Sequence, residues 1–223
     1  MRKITLLLAF VAFISTSSFA QNSYLSKLEV DFTVGTANQN FASALMIQRI
    51  HRINLIKKLQ LGLGYGVRYT ANALNNRSLT ASPEKFQSDD RLALSSGTIH
   101  SLNAAIHLQI SWGRFEAGFN IDVGGLGFGG SQTGSYSVAG VEQSQETAKP
   151  TPMNLLLGGS RDIGSLHSER YIRYWVNDKL GVKLALGHLF GEYTTDRKLN
   201  LDNDRFRTIY DPFIIGVTYR FFK

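Results

Sequence analysis

The stretch Ile209-Tyr-Asp-Pro-Phe-Ile-Ile-Gly-Val-Thr-Tyr-Arg-Phe-Phe-Lys223 decides the fold. From Phe213 its large apolar residues alternate: Phe213, Ile215, Val217, Tyr219 and Phe221. Between them stand Ile214, Gly216, Thr218 and Arg220. A period of two places the first set on one face of a β-strand. That face is wholly apolar and ends in two aromatics, whereas the other carries Gly, Thr and Arg. An apolar outer face with an aromatic end and a small or polar inner face is the pattern of a transmembrane β-barrel strand.

Working outward, the same alternation recurs. Leu28, Val30, Phe32 and Val34 alternate with Lys27, Glu29, Asp31 and Thr33. Leu59, Leu61, Leu63, Tyr65, Val67 and Tyr69 alternate with Gln60, Gly62, Gly64, Gly66, Arg68 and Thr70. Glycine on an inner face leaves room for bulky neighbours inside a narrow barrel. Leu102 to Trp112 and Phe115 to Val123 form a hairpin about Gly113-Arg114, and Leu180, Val182, Leu184 and Leu186 alternate with Gly181, Lys183, Ala185 and Gly187. Phe41 to Ile53 reads as a strand of open parity, with Ala44, Met46 and Ile50 competing against Leu45, Ile47 and Ile53. Met153 to Val176 reads as one long interrupted strand ending in aromatics. The expected fold is all-β: a single antiparallel up-and-down transmembrane β-barrel of about eight strands, each long enough for a barrel wall.

Gly35–Asn40, Asn54–Lys57, Gly113–Arg114 and Asn177–Lys179 read as short turns; Ala71–Gly97, Gly124–Pro152 and Thr194–Thr208 read as long polar loops. Short periplasmic turns and long outer loops are the usual asymmetry of such barrels. Trp112, Tyr171, Trp175 and Tyr219 are expected in the aromatic belts.

Met1-Arg2-Lys3, the apolar run Ile4–Ile14 and Ser18-Phe19-Ala20 have the layout of a secretory signal peptide cut after Ala20. The run is too short to span a bilayer as a helix. Residues 1–20 are therefore read as the signal and 21–223 as the barrel domain, exported to the outer membrane of a Gram-negative cell. The formal charge is +7, of which Arg2 and Lys3 leave with the signal. No basic cluster is interleaved with aromatics, so nucleic acid is not an expected partner. With no Cys there is no disulfide framework, thiol nucleophile or thiolate site.

The last strand, ending Tyr-x-Phe, resembles the closing strand of bacterial outer-membrane barrels, the segment that their assembly machinery recognises; here Phe222 and Lys223 follow it. The whole mature chain is similar to small barrels of the OmpA and OmpX type and to the PorT-like barrels of the Bacteroidetes, whose signals often cut before Gln, as at Gln21. That resemblance implies outer-membrane location and contact with outer-membrane lipid, lipopolysaccharide and the assembly machinery. It implies no single activity, since members anchor, adhere, stabilise the envelope or assist secretion.

The inner-face charges Glu29, Asp31, Arg68, Glu116, Asp122, Lys183 and Arg220 are the candidate site residues. A narrow lumen makes them pair, because an isolated buried charge is costly; the competing role is an ion path. The five His match no metal motif, and no cofactor is expected. His167-Ser168-Glu169 has the residue types of a hydrolytic triad of the lipid A deacylase kind, but neighbours on a strand point to opposite faces. The expectation is therefore a structural, adhesion or envelope-assisting barrel without catalysis. The alternatives are a lipid A-modifying enzyme, a small-solute channel, or a soluble lipocalin-like barrel with the two faces exchanged.

Overall fold

The computed structural model describes residues 25–82 and 89–221. The expected signal segment, residues 1–20, and the final residues Phe222 and Lys223 lie outside the described residues. The described strands are β1 (Leu25–Ala37), β2 (Asn40–Ile56), β3 (Leu59–Ala81), β4 (Arg91–Trp112), β5 (Phe115–Phe128), β6 (Gln132–Val138), β7 (Val141–Pro150), β8 (Met153–Leu155), β9 (Leu166–Trp175), β10 (Leu180–Thr195), β11 (Arg205–Tyr210) and β12 (Phe213–Phe221). Eight of them close a ring in the order β1, β2, β3, β4, β5, β9, β10, β12 and back to β1, all antiparallel.

One row of partners can be followed round this ring. Phe221 lies opposite Leu28, then come Arg49, Tyr65, Ile106, Ile121, Ser168 and His188. The pairs Leu186↔Phe213 and Leu189↔Tyr210 place His188 opposite Asp211. One circuit thus moves from residue 221 to residue 211 of the same segment, a stagger of ten residues. Eight steeply tilted strands enclose an interior just wide enough for side chains to fill.

The pleat sorts the sequence onto two faces. Phe32, Ile47, Tyr65, Ile106, Leu184 and Val217 are among the large apolar side chains left exposed on the outside. Glu29, Asp31, Arg68, Asn120 and Lys183 are buried inside. This inversion, with apolar residues outward and charges inward, is stable only where lipid surrounds the wall, and the molecule is a transmembrane β-barrel of the outer-membrane type. The parity of β2 resolves, with Ala44, Met46, Gln48, Ile50 and Arg52 inward and Leu45, Ile47 and Arg49 outward. The inner glycines of β3 are required by close approach. A Cβ on Gly66 would meet the Ile47 carbonyl oxygen and the Gln48 Cα, and one on Gly64 would meet Ile50 and the Arg49 carbonyl oxygen. The β1–β2 turn is only two residues long, with Asn38 and Gln39 both at positive φ (48° and 68°), the conformation that suits a tight hairpin.

Two of the three expected long loops, Ala71–Gly97 and Gly124–Pro152, are largely strand, and the third is strand only at its ends. β3 continues to Ala81, and β4 starts at Arg91, with Leu79 opposite Leu92. Gly124–Pro152 contains the end of β5 and the β6–β7 hairpin; Thr194–Thr208 contains the start of β11. Met153–Val176 is not one strand: the short β8, a 3-10 turn at Gly159–Arg161 and β9 divide it. These pieces close a second, smaller ring above the first, in the order β3, β4, β6, β7, β10, β11 and back to β3. Its core is apolar, built from Leu74, Leu79, Leu92, Leu94, Tyr136, Tyr193, Phe206 and Tyr210. Ser, Asn and Gln on the watered face make these segments look like loops in sequence, because the apolar residues are spaced among polar ones. Tyr171 and Trp175, expected in the aromatic belt, are buried in the lumen instead; their strand parity points them inward, where arginines stack on them.

Candidate functional site

The inner faces of the eight strands bring their charges to one place. At the end of the lumen nearest the termini, Glu29 of β1 accepts hydrogen bonds from Arg52 of β2 (2.6 Å), Arg173 of β9 (3.0 Å) and Arg220 of β12 (2.9 Å). Glu116 of β5 accepts from the same three arginines at 3.0, 3.0 and 3.1 Å. Two carboxylates and three guanidiniums from five strands therefore tie opposite walls together. Arg173 also reaches Asp31 (2.9 Å), which accepts from Lys183 at 3.1 Å.

One layer up, Lys183 contacts Glu169 at 2.5 Å, and Glu169 lies 3.3 Å from the His167 Nε2 and accepts from the Asn120 amide at 3.1 Å. Arg68 donates to the Asn120 side chain and to the His167 carbonyl (3.1 Å), with its Nε 3.4 Å from Asp122. Asp122 accepts from Asn103 (2.8 Å) and from the His167 backbone N–H (3.0 Å). Aromatic faces complete the packing. The Arg220 guanidinium lies 3.4 Å from the Trp175 ring centre, and Arg173 lies 5.0 Å from that of Tyr171, distances at which cation and ring quadrupole attract.

All seven charges singled out in the sequence are in this network, but they number four acids against three bases. The structure adds Arg52, Arg173 and Glu169. The completed set is Glu29, Asp31, Glu116, Asp122 and Glu169 against Arg52, Arg68, Arg173, Lys183 and Arg220, five of each sign. The missing base in the shorter count was itself a signal, since a buried set with excess charge is costly. Arg52 was hidden by the ambiguous parity of β2. Arg173 and Glu169 were hidden in the segment taken as one interrupted strand, although His167, Glu169, Tyr171, Arg173 and Trp175 alternate cleanly once β9 starts at Leu166.

Above the network the second ring closes the lumen with its apolar cluster. Glu192 is buried at that level and accepts from Arg207 (2.9 Å) and from the Gly164 N–H (3.1 Å). Tyr136, in the extension, donates to Asp90 (3.0 Å), and burial together with that bond pushes its hydroxyl up to about 12. The adjacent trio His167-Ser168-Glu169 does not assemble: His167 and Glu169 face inward, while Ser168 sits on the outer wall. Among the described residues no cluster of three or more His, Cys, Asp or Glu has the arrangement of a metal site.

No protein-family model matches the chain, and no curated sequence matches it. Among solved structures it is similar to Neisserial surface protein A, at 10% identity and a TM-score of 0.31 over 89% of this chain and 97% of that one. It is also similar to the outer membrane protein AlkL in lipid bilayers, at 10% identity and 0.33 over 92% and 93%. A third likeness is to the Ralstonia pickettii toluene transporter TbuX, at 8% identity and 0.19 over 92% and 90%. The class rests on the molecule's own geometry: an eight-stranded antiparallel ring with a lipid-facing apolar wall and a charge-neutral packed lumen is a small outer-membrane β-barrel.

Proposed function

We propose that the protein resides in the outer membrane as a non-conducting barrel that serves the envelope through its outer wall and outer extension, and not by passing solute through its lumen. The observation that carries this reading is the five-against-five ion network, whose members bridge walls from β1, β2, β3, β5, β9, β10 and β12 with little or no solvent exposure. A conducting pore would keep a continuous wet path; here acids and bases interlock and a tyrosine- and leucine-rich plug sits above them. The rigid wall then carries the second ring, with the β6–β7 hairpin, into the medium. Such a platform suits an anchoring, adhesive or assembly-assisting role. Outer-membrane lipid, lipopolysaccharide and, through the closing strand, the assembly machinery are its partners in this reading.

Two measurements test it. Fractionation of a Gram-negative host is expected to place the chain in the outer membrane, and a soluble periplasmic product would refute that part. In planar bilayers the refolded barrel is expected to show no steady conductance. A large, stable wild-type conductance would mean that the lumen is an ion path.

A further inference from the structure

The row of partners that runs round the barrel ends in three polar residues on the lipid face. Ser168 of β9 lies directly opposite His188 of β10. His188 in turn lies opposite Asp211, at the corner between β11 and β12, and its Nδ1 is 2.7 Å from the Asp211 Oδ1. Asp211 and His188 are 71% and 48% exposed, and Ser168 is half-buried, so all three sit on the outside of the wall. The outward residues of β10 below this point are Leu180, Val182, Leu184 and Leu186, and those of β9 are Tyr174, Ile172 and Arg170. The apolar wall therefore breaks at His188 on β10, and on β9 at Arg170 just below Ser168.

Their order is nucleophile, base, acid. If the His188 Nδ1–H donates to Asp211, the Nε2 lone pair is left on the side of the ring away from Asp211, which is the side of Ser168. Side chains directly across an antiparallel pair have Cβ atoms about 4.5–5.5 Å apart, within reach of an Oγ–H to Nε2 hydrogen bond by side-chain rotation. A serine hydroxyl, an imidazole and a carboxylate in this order define a triad by geometry, wherever they fall in the sequence. Other polar pairs on the described wall are Arg49 with Ser26 and Tyr69 with His100. Neither has a nucleophile, a base and an acid in line.

A cavity of about 800 Å³ adjoins the row. Ser168 and His188 line it together with Ile121, Leu156, Leu166 and Phe190. It opens on the outer wall, where β9 begins and the segment after β8 folds against β10, and its size is that of a small-molecule site. His188 stands seven residues above Gly181, the first residue of β10 paired with β9, or ~17 Å along the barrel axis for tilted strands. In an apolar band ~25 Å tall that lies in the outer half, on the side of the outer-leaflet lipids. Arg170 faces outward from the same strand, two residues below Ser168. A lipid-facing arginine is unfavourable away from the interface, and a side chain of that length is able to extend toward the polar layer.

We infer that Ser168, His188 and Asp211 form a catalytic triad on the outer wall that cleaves acyl esters of membrane lipids, with the acyl chain in the adjoining cavity. The Ser168 Oγ bonds to the ester carbonyl carbon as its proton passes to the His188 Nε2. Collapse of the tetrahedral intermediate breaks the bond from carbonyl carbon to alkoxide oxygen, and the departing alcohol takes the proton from His188. Water, deprotonated by His188, then releases the fatty acid and restores Ser168. Asp211 holds the imidazole and balances the imidazolium charge, and Arg170 faces the oxyanion or a headgroup phosphate.

This activity is independent of the lumen reading. The test uses the full chain refolded into vesicles, with folding of each variant verified by its shifted gel mobility before heating. A fluorophosphonate is expected to label Ser168, read as a mass increase on its peptide. Labelling is expected to vanish in Ser168→Ala and to slow by about 100-fold or more in His188→Gln; in Asp211→Asn it falls while the barrel stays folded. Mass spectrometry of vesicles of phosphatidylethanolamine, and separately of lipopolysaccharide, is expected to show free fatty acid in one or both. Release from the first alone assigns a glycerophospholipid substrate, and release from the second alone assigns lipid A. Folded wild type that neither labels at Ser168 nor releases fatty acid from either membrane overturns the inference, as does release that survives Ser168→Ala. Conductance is measured on the same samples, so a leaky barrel that still labels would sink only the lumen reading.

Discussion

Arg173 is the joint of the lumen network, and replacing it by methionine isolates what the network contributes. Its two terminal nitrogens lie 3.0 Å from Glu29, 3.0 Å from Glu116 and 2.9 Å from Asp31. Methionine retains much of the apolar stem, so the change is mainly one of charge. Removing one partner of a buried pair typically costs 3–5 kcal/mol, because the other charge is left uncompensated. Here the loss is moderated. Glu29 and Glu116 keep Arg52 and Arg220, and Asp31 keeps Lys183. Against that, four cations then face five acids, and the stacking of the guanidinium over Tyr171 and Trp175 is lost, worth ~0.5–2 kcal/mol. The expected cost is about 4 kcal/mol, read from urea titrations of the refolded barrel by gel mobility and tryptophan emission. Asp31→Asn added to Arg173→Met restores equal numbers of each sign and is expected to recover about 2 kcal/mol, a coupling that a double-mutant cycle measures directly. A cost below about 1 kcal/mol, the range of solvent-screened surface pairs, would show that water reaches the lumen and would undo the argument for a sealed interior. So would a double variant less stable than the single one.

Three further outcomes are expected. Gly66→Val puts a branched side chain against the Ile47 carbonyl and the Gln48 Cα, backbone that cannot give way; the folded gel band should be lost, and normal refolding would mean that β2 and β3 are less closely paired than described. Phe206 is fully buried in the second ring, edge-on to Tyr136. Phe206→Ala should cost about 3–5 kcal/mol and open the outer extension to protease while the membrane ring stays protected; unchanged protease resistance would count against a packed extension. Arg197 donates to Glu146 at the foot of the β6–β7 hairpin (3.0 Å) and holds that carboxyl below its ordinary value. A lowered folded value means that the contribution is present above the ordinary carboxylate pKa and is lost as pH falls through the folded one. Proteolysis of the hairpin should therefore rise on acidification in the wild type and vary less in Glu146→Gln; equal pH profiles would refute the assignment.

Legibility differed between the two parts of the molecule for a physical reason. In the membrane ring every second residue faces lipid, so Leu59 to Tyr69 and Phe213 to Phe221 display their parity without interference. In the outer extension both faces meet polar surroundings at some point, and Leu79, Leu92 and Phe206 are too widely spaced among Ser, Asn and Arg to mark strands. The β2 parity failed for a related reason: Met46 and Ile50 face inward, where Gly64 makes room for the Ile50 side chain.

The sequence by itself determined that the chain is a small barrel with an apolar outer wall and charged inner face, which strands carry most of that wall, and that seven charges share the lumen. These follow from a two-residue period, which is local and survives without knowledge of neighbours. Only the tertiary structure decided the partners. Stagger and closure are properties of the whole ring, so nothing local announces that Arg52, Arg173 and Glu169 balance the interior, or that the polar stretches close a second ring. The same holds on the outer wall. Ser168, His188 and Asp211 are twenty and twenty-three residues apart in sequence and come into line only because β9, β10 and the corner between β11 and β12 lie side by side.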